Sequence, residues 1–190
     1  MKMLVKIVVV LVAIVSVAMV AAMFTKKDYT LKREIAINKP SQDVFQYIRY
    51  LRNQEAYSKW LSLDPDTKIN YKGSVDGTPG AILAFSSRDN KAGTGEWETT
   101  SVVENKRINF ELRFLEPFTF TANGHMAVDS LSPTQTKLEW VYNSGMKWPM
   151  NIMLLFMDMD KIVGNDIAIS LNNIKANLET KWKGETAYSN

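Results

Sequence analysis

The chain has 190 residues, enough for one domain with a full core, and no cysteine, which excludes disulfides, thiol catalysis and cysteine-ligated metal. Its formal net charge of +3 belongs to the N-terminus. Residues 1–27 hold four of the 23 basic residues and no acid, which leaves 19 basic against 20 acidic residues in the remainder. That remainder has no basic run interleaved with aromatics, so nucleic-acid binding is set aside.

Ile7 to Phe24 is apolar except for Ser16, and lysines flank both ends. Eighteen helical residues at ~1.5 Å each reach ~27 Å, close to the ~30 Å of a bilayer core. The segment is expected to be an uncleaved, single-pass signal anchor. The alternative is a cleaved signal peptide, since Val20-Ala21-Ala22 resembles a small-residue cleavage site. Lys2 and Lys6 argue for an internal N-terminus and Lys26, Lys27, Lys32 and Arg33 for the opposite. The basic n-region tips the expectation towards a domain outside the cytoplasmic (inner) membrane.

Thr30 to Asn38 reads as a strand. In "NKPSQDVFQYI", Ser41 suits an N-cap, and Val44, Phe45, Ile48 and Leu51 fall on one helical face. A second short helix is expected over Gln54 to Trp60, ended by "LDPD". Six strands should follow: Lys68–Lys72, Ala81–Ser87, Gly95–Glu104, Arg107–Leu115, Phe118–Asp129 and Thr136–Asn143, most of them separated by turn signals such as "VDGTPG" and "SPTQ". The alternation of Ile108, Phe110, Leu112 and Phe114, of Phe120 to Val128, and of Leu138, Trp140 and Tyr142 predicts one buried and one wetter face.

"WPMNIMLLFMDMD" places four methionines in one apolar run. Met150, Met153, Leu154 and Met157 are spaced as a helical stripe that continues, past Asp160 and Gly164, to Ile167, Leu171, Ile174 and Leu178. The spacing predicts a long C-terminal helix with a break near Gly164–Asn165. The apolar run is too short to span a bilayer.

This order of elements is that of the helix-grip fold. The stretches "YTLKREIAINKPSQDVFQYIRYLRN", "DPDTKINYKG" with "GTPGAILAFSS", "AGTGEWETTSVVENKRINFELRF" and "MDMDKIVGNDIAISLNNIKANLE" resemble the START-like (SRPBCC) superfamily, in its polyketide cyclase/dehydrase branch and especially its membrane-anchored bacterial members. They cover about residues 29 to 180 and include no catalytic signature. Relatives often carry tryptophans where this chain has Gln54 and Tyr57; Trp60 is kept. The resemblance implies an α+β domain whose curved antiparallel sheet wraps the long helix around a cavity for lipids, sterols or polyketides. The expected organisation is an anchor over 1–27, the helix-grip domain over 28–182 and a tail over 183–190.

The chemistry-bearing residues are few. His125, the one histidine, falls by strand parity on the wetter face. Asp64/Asp66 sit in a turn-forming "DPD", and on a helix Asp158 and Asp160 project about 200° apart, so no metal site is expected. "GTGEWE" enters a strand, unlike a phosphate cradle. No cofactor or catalytic residue is assigned. The expectation is a membrane-tethered binding module for a hydrophobic small molecule or lipid. A cyclase/dehydrase-type enzyme and an accessory subunit of a membrane protein complex remain as alternatives. The expected ligand contacts are Leu83, Phe85, Trp97, Phe110, Leu112, Phe114, Phe120, Met126, Trp140 and Tyr142 from the sheet, facing Met150, Met153, Leu154 and Met157 on the helix. An ordinary core is the alternative reading of the same side chains.

Overall fold

The computed structural model describes residues 2–89 and 91–180; the expected tail over 183–190 lies outside them. One antiparallel sheet contains β1 (Asp28–Ile37), β2 (Lys68–Gly73), β3 (Ala81–Ser86), β4 (Thr94–Val103), β5 (Arg107–Glu116), β6 (Phe120–Ser132) and β7 (Gln135–Gly145). The spatial order is β1-β7-β6-β5-β4-β3-β2. β2 to β7 therefore form a meander, and β1 closes on β7 at the far edge. This is the predicted helix-grip fold.

Because β1 and β2 occupy opposite edges, the chain between them must traverse the sheet. It does so as α2 (Ser41–Arg49), a 3-10 turn, α3 (Gln54–Tyr57) and a second 3-10 turn (Leu61–Leu63). Ser41 is the first helical residue rather than the cap, and makes no capping bond. Val44, Phe45, Ile48 and Leu51 are buried as their spacing requires. The helix expected over Gln54–Trp60 ends at Tyr57, because the next backbone groups have tertiary partners: Lys59 N–H donates to Ser170 Oγ at 2.9 Å.

The C-terminal helix is α4 (Asn165–Thr180), entered through a π turn over Asp160–Gly164. Where a break was expected the chain changes helix type at Gly164 but stays helical, with Asn165 at φ −66° and ψ −40°. The cause of the change is a side chain from β1: a Cβ at Gly164 would collide with Nη2 of Arg33 and lie 3.0 Å from Cζ. Arg33 crosses there to pair with Asp160 at 2.8 Å. Ile167, Leu171, Ile174 and Leu178 then bury one apolar face against the core. Each such side chain contributes about 1.5–3 kcal/mol on full burial. The polar side of α4 holds α3: Asn173 Nδ2 donates to the Tyr57 carbonyl at 3.1 Å and Asn177 Nδ2 to the Ala56 carbonyl at 3.1 Å.

The methionine run departs from expectation. Met150–Leu155 is a separate 3-10 element, followed by an irregular link. Met150 and Met153 are thus not on the inner face of the C-terminal helix; they are 51% and 38% exposed. The element packs instead on α1 (Lys2–Phe24), the apolar N-terminal helix, which is long and apolar enough to cross a membrane.

Candidate functional site

Strand parity and register bring the predicted sheet residues to one concave face. Leu83 pairs with Trp97, Trp97 with Leu112, Gly95 and Phe120 each with Phe114, and Met126 with Trp140. Two glycines give the rings room. A Cβ on Gly124 would collide with the Val141 carbonyl and lie 2.9 Å from Phe110 Cζ; one on Gly95 would lie 2.8 Å from Phe85 Cζ.

At mid-sheet this face is filled. Trp97 and Phe110 have ring centroids 4.2 Å apart, and Trp140 meets Trp97, Phe110, Tyr57 and Trp60 edge-on at 5.8–6.4 Å. Tyr57 and Trp60 were not among the predicted contacts; they arrive on the crossing segment, whose apolar face was legible but whose target was not. Edge-to-face packing of this kind adds about 0.5–1.5 kcal/mol per pair beyond burial. Trp140 Nε1 and Thr99 Oγ1 are buried here without a hydrogen-bond partner in the protein. Burial raises the Tyr57 and Tyr142 phenol pKa values, keeping both rings neutral.

Towards one end the face opens. Along β5 and β6, Ile108, Phe110, Leu112, Ala122, Met126 and Val128 are closed from solvent, yet Phe114 is half-buried and Phe120 is 37% exposed. These two stack at 4.3 Å with 17° between their planes, and Phe85 meets Phe114 edge-on at 6.2 Å. The register identifies the open end. Asp28 pairs with Gly145, Asn123 with Asn143, Phe114 with Phe120, and Thr94 with Glu116. The end of α1, the β5–β6 hairpin and the methionine element therefore share this end of the sheet.

The charged side chains of the meander lie on the opposite, convex face. Arg113 pairs with Glu96, Glu98 and Glu111 at 2.7–3.0 Å, and Lys72 with Glu96 at 2.5 Å. Lys32 pairs with Glu139 at 2.5 Å, which holds the Glu139 carboxyl below its usual range. His125 lies on this face, as predicted, 3.5 Å from Glu139. Among the described residues, the inward positions of β3 to β7 carry no Asp, Glu, Lys, Arg or His. The described residues contain no His/Asp/Glu group that could hold a metal. Two open surface depressions, of about 180 Å³ beside Leu51, Tyr71 and Ile82 and about 620 Å³ beside Val103, Lys106 and Asp129, include none of the predicted contacts.

No family model and no curated protein matches the sequence. Solved structures do match. Norcoclaurine synthase from Thalictrum flavum is similar at 11% identity and a TM-score of 0.62, over 82% of this chain and 96% of that one. The Zhui aromatase/cyclase from Streptomyces sp. R1128 is similar at 11% identity and 0.59, over 80% and 94%. The Aha1 dimer from Colwellia psychrerythraea is similar at 14% identity and 0.56, over 80% and 97%. At these identities the likeness is one of fold: the domain has the helix-grip architecture shared by these proteins.

Proposed function

We propose that the protein is a membrane-tethered binding module that takes a lipid-like or polyketide-like molecule against the concave face of its sheet. The observation that carries this reading is the apolar inner face, which is closed at mid-sheet and becomes partly exposed at Phe114 and Phe120, at the end of the sheet that bears α1. Ligand sites are mostly apolar, with a few placed polar groups. Trp140 Nε1 and Thr99 Oγ1, buried without a hydrogen-bond partner, are polar groups that a ligand displacing the mid-sheet packing would meet. An inner face without carboxylate or imidazole favours binding over acid–base catalysis. The similarity to norcoclaurine synthase and the aromatase/cyclase is compatible with a hydrophobic substrate class, and within β3 to β7 a cyclase-type activity would have the Tyr142 phenol as its inward acid or base.

Retention of α1 as an anchor, rather than its removal as a signal sequence, is supported by its packing. Asn151 is fully buried, and its Nδ2 donates to the carbonyls of Ala22 and Thr25 at 2.7 and 3.0 Å. Cleavage at the Ala21–Ala22 region would strip this buried amide of one of its two acceptors. A domain outside the cytoplasmic membrane is the orientation that Lys2 and Lys6 favour, against Lys26, Lys27, Lys32 and Arg33 at the other end of α1.

The test is photocrosslinking of the full chain in membranes with a diazirine-bearing fatty acid. Competable labelling of Leu112, Phe114 or Ala122 on the inner face is the expected result. Labelling confined to α1 and the exposed surface, with none on β5 or β6, overturns the ligand assignment.

A further inference from the structure

The methionine element was predicted to wall the cavity from within. Its position assigns it a different partner. We infer that Trp148–Phe156, together with the tip of the β5–β6 hairpin, forms an apolar foot that enters the lipid bilayer beside α1. The domain is thereby docked on the membrane rather than suspended from it. This inference rests on the reading of α1 as a retained membrane span.

Depth is the first argument. Trp148 Nε1 donates to the carbonyl of Met19 at 3.2 Å. Met19 lies five residues before Phe24, the end of the apolar run. At ~1.5 Å per residue the indole therefore sits about 7.5 Å inside the end of the apolar stretch. A bilayer that covers Ile7–Phe24 must also surround Trp148. An amphipathic indole is enriched at that interfacial depth.

Rigidity is the second. Asn151 ties the element to the Ala22 and Thr25 carbonyls, and Met146 N–H donates to the Lys27 carbonyl at 2.8 Å. The segment cannot swing away from the helix without breaking these bonds, so its height along α1 is set.

The side chains are the third. Phe156 is 85% exposed and Phe118, at the hairpin tip on the same end of the sheet, is 71% exposed. Trp148, Met150, Met153 and Leu155 are exposed as well. Exposed apolar side chains gathered at one end of a domain mark a membrane or protein contact rather than a water-facing one. Their place at the end that bears α1 selects lipid, and Lys26, Lys27 and Lys147 stand exposed at the same end, where lipid phosphates would lie. Methionine suits the place because its unbranched side chain adapts to a fluid neighbour. The open end of the concave face then lies at the membrane surface.

The experiment uses the absence of cysteine. Full-length Phe156→Cys, Phe118→Cys, Val15→Cys and Thr134→Cys are labelled with an environment-sensitive fluorophore and reconstituted in vesicles of pure phosphatidylcholine and phosphatidylglycerol. Val15 lies within α1, and Thr134 is an exposed residue of the β6–β7 turn at the opposite end of the sheet. The expected result is blue-shifted, lipid-quenchable emission at Val15, Phe156 and Phe118, and water-like emission at Thr134. Lipid-like emission at Val15 with water-like emission at Phe156 and Phe118 overturns the foot while the anchor stands. Water-like emission at Val15 overturns the anchor and the foot with it. Emission at Phe156 that is water-like in vesicles but shielded in native membranes assigns the surface to a membrane protein and also overturns the lipid contact.

Discussion

The two ends of the concave face are written in the same alternating code and end in different environments. At the closed end Ile37, Val128 and Leu138 lie beneath the cluster that α2 and α4 complete. At the open end Phe114 and Phe120 continue the same parity but are only partly buried. Alternation along a strand reports which face is apolar. It does not report what covers that face, because the cover comes from elsewhere in the chain.

Trp140→Ala breaks the comparison at its strongest point. The side chain is fully buried among four aromatic rings. Truncation should cost about 3–5 kcal/mol, read as a lower urea midpoint of the full chain in detergent. Phe120→Ala, at the open end, should cost less than half as much. Equal costs would mean that the open end is as tightly packed as the closed one.

Gly124→Ala sharpens the same contrast from the backbone side. Its Cβ has the rigid Val141 carbonyl and the Phe110 ring to displace, so overpacking should cost about 1–3 kcal/mol. Gly164→Ala meets only the end of the flexible Arg33 side chain. There the gain of about 1 kcal/mol in helix propensity is set against loss of an exposed Arg33–Asp160 pair worth about 0–1 kcal/mol. The net change should fall within about 1 kcal/mol of zero, in contrast to Gly124. A large loss at Gly164 would show that the π turn, rather than the salt bridge, needs the glycine.

These cases also show what the sequence made legible. The strands were readable to within three residues at every end because period-2 alternation is a direct consequence of a half-buried sheet. Phe118, expected as the start of β6, falls outside it; the strand starts at Phe120, and Thr119 Oγ1 instead donates back to the Leu115 carbonyl at 3.3 Å. The face of α4 was readable for the same kind of reason, at period 3.6. The methionine run was misplaced because apolar spacing cannot distinguish a face turned to a protein core from one turned outward. The missed signal was Asn151, the polar residue in the middle of the run. A buried amide needs partners, and it found them in backbone carbonyls some 130 residues away, which no local pattern encodes.

The open end also carries an acid-sensitive joint. Asp64 accepts hydrogen bonds from the backbone N–H groups of Arg88, at 2.8 Å, and Asp66, at 2.9 Å, joining the loop before β2 to the loop after β3. The Arg88 N–H is the larger cause of a carboxyl pKa below its ordinary 3.8. The native state therefore binds fewer protons here than the unfolded chain, so this stabilisation is complete above about pH 4 and fades as pH falls through the native value. Asp64→Asn should leave a shallower acid limb in a stability–pH profile, with the largest difference from the parent at neutral pH. An unchanged limb would mean that other carboxylates carry the acid response.

The smallest expected effect is the most diagnostic of the difference between the two ends. Phe156→Ala removes a large aromatic side chain, as Trp140→Ala does, but from a position that touches little of the protein. Surface substitutions without a partner stay within about ±0.5 kcal/mol. The midpoint of unfolding in detergent should therefore hardly move. If Phe156→Ala instead costs 2 kcal/mol or more on the scale of buried aromatic truncations, the element belongs to a core, and its exposed rings need a protein partner. If stability is unchanged while the Phe156 probe reports lipid, the same chain has placed one set of aromatics to pack the sheet and another to face the membrane. What separates the two sets is position relative to α1, since their hydrophobicity is the same.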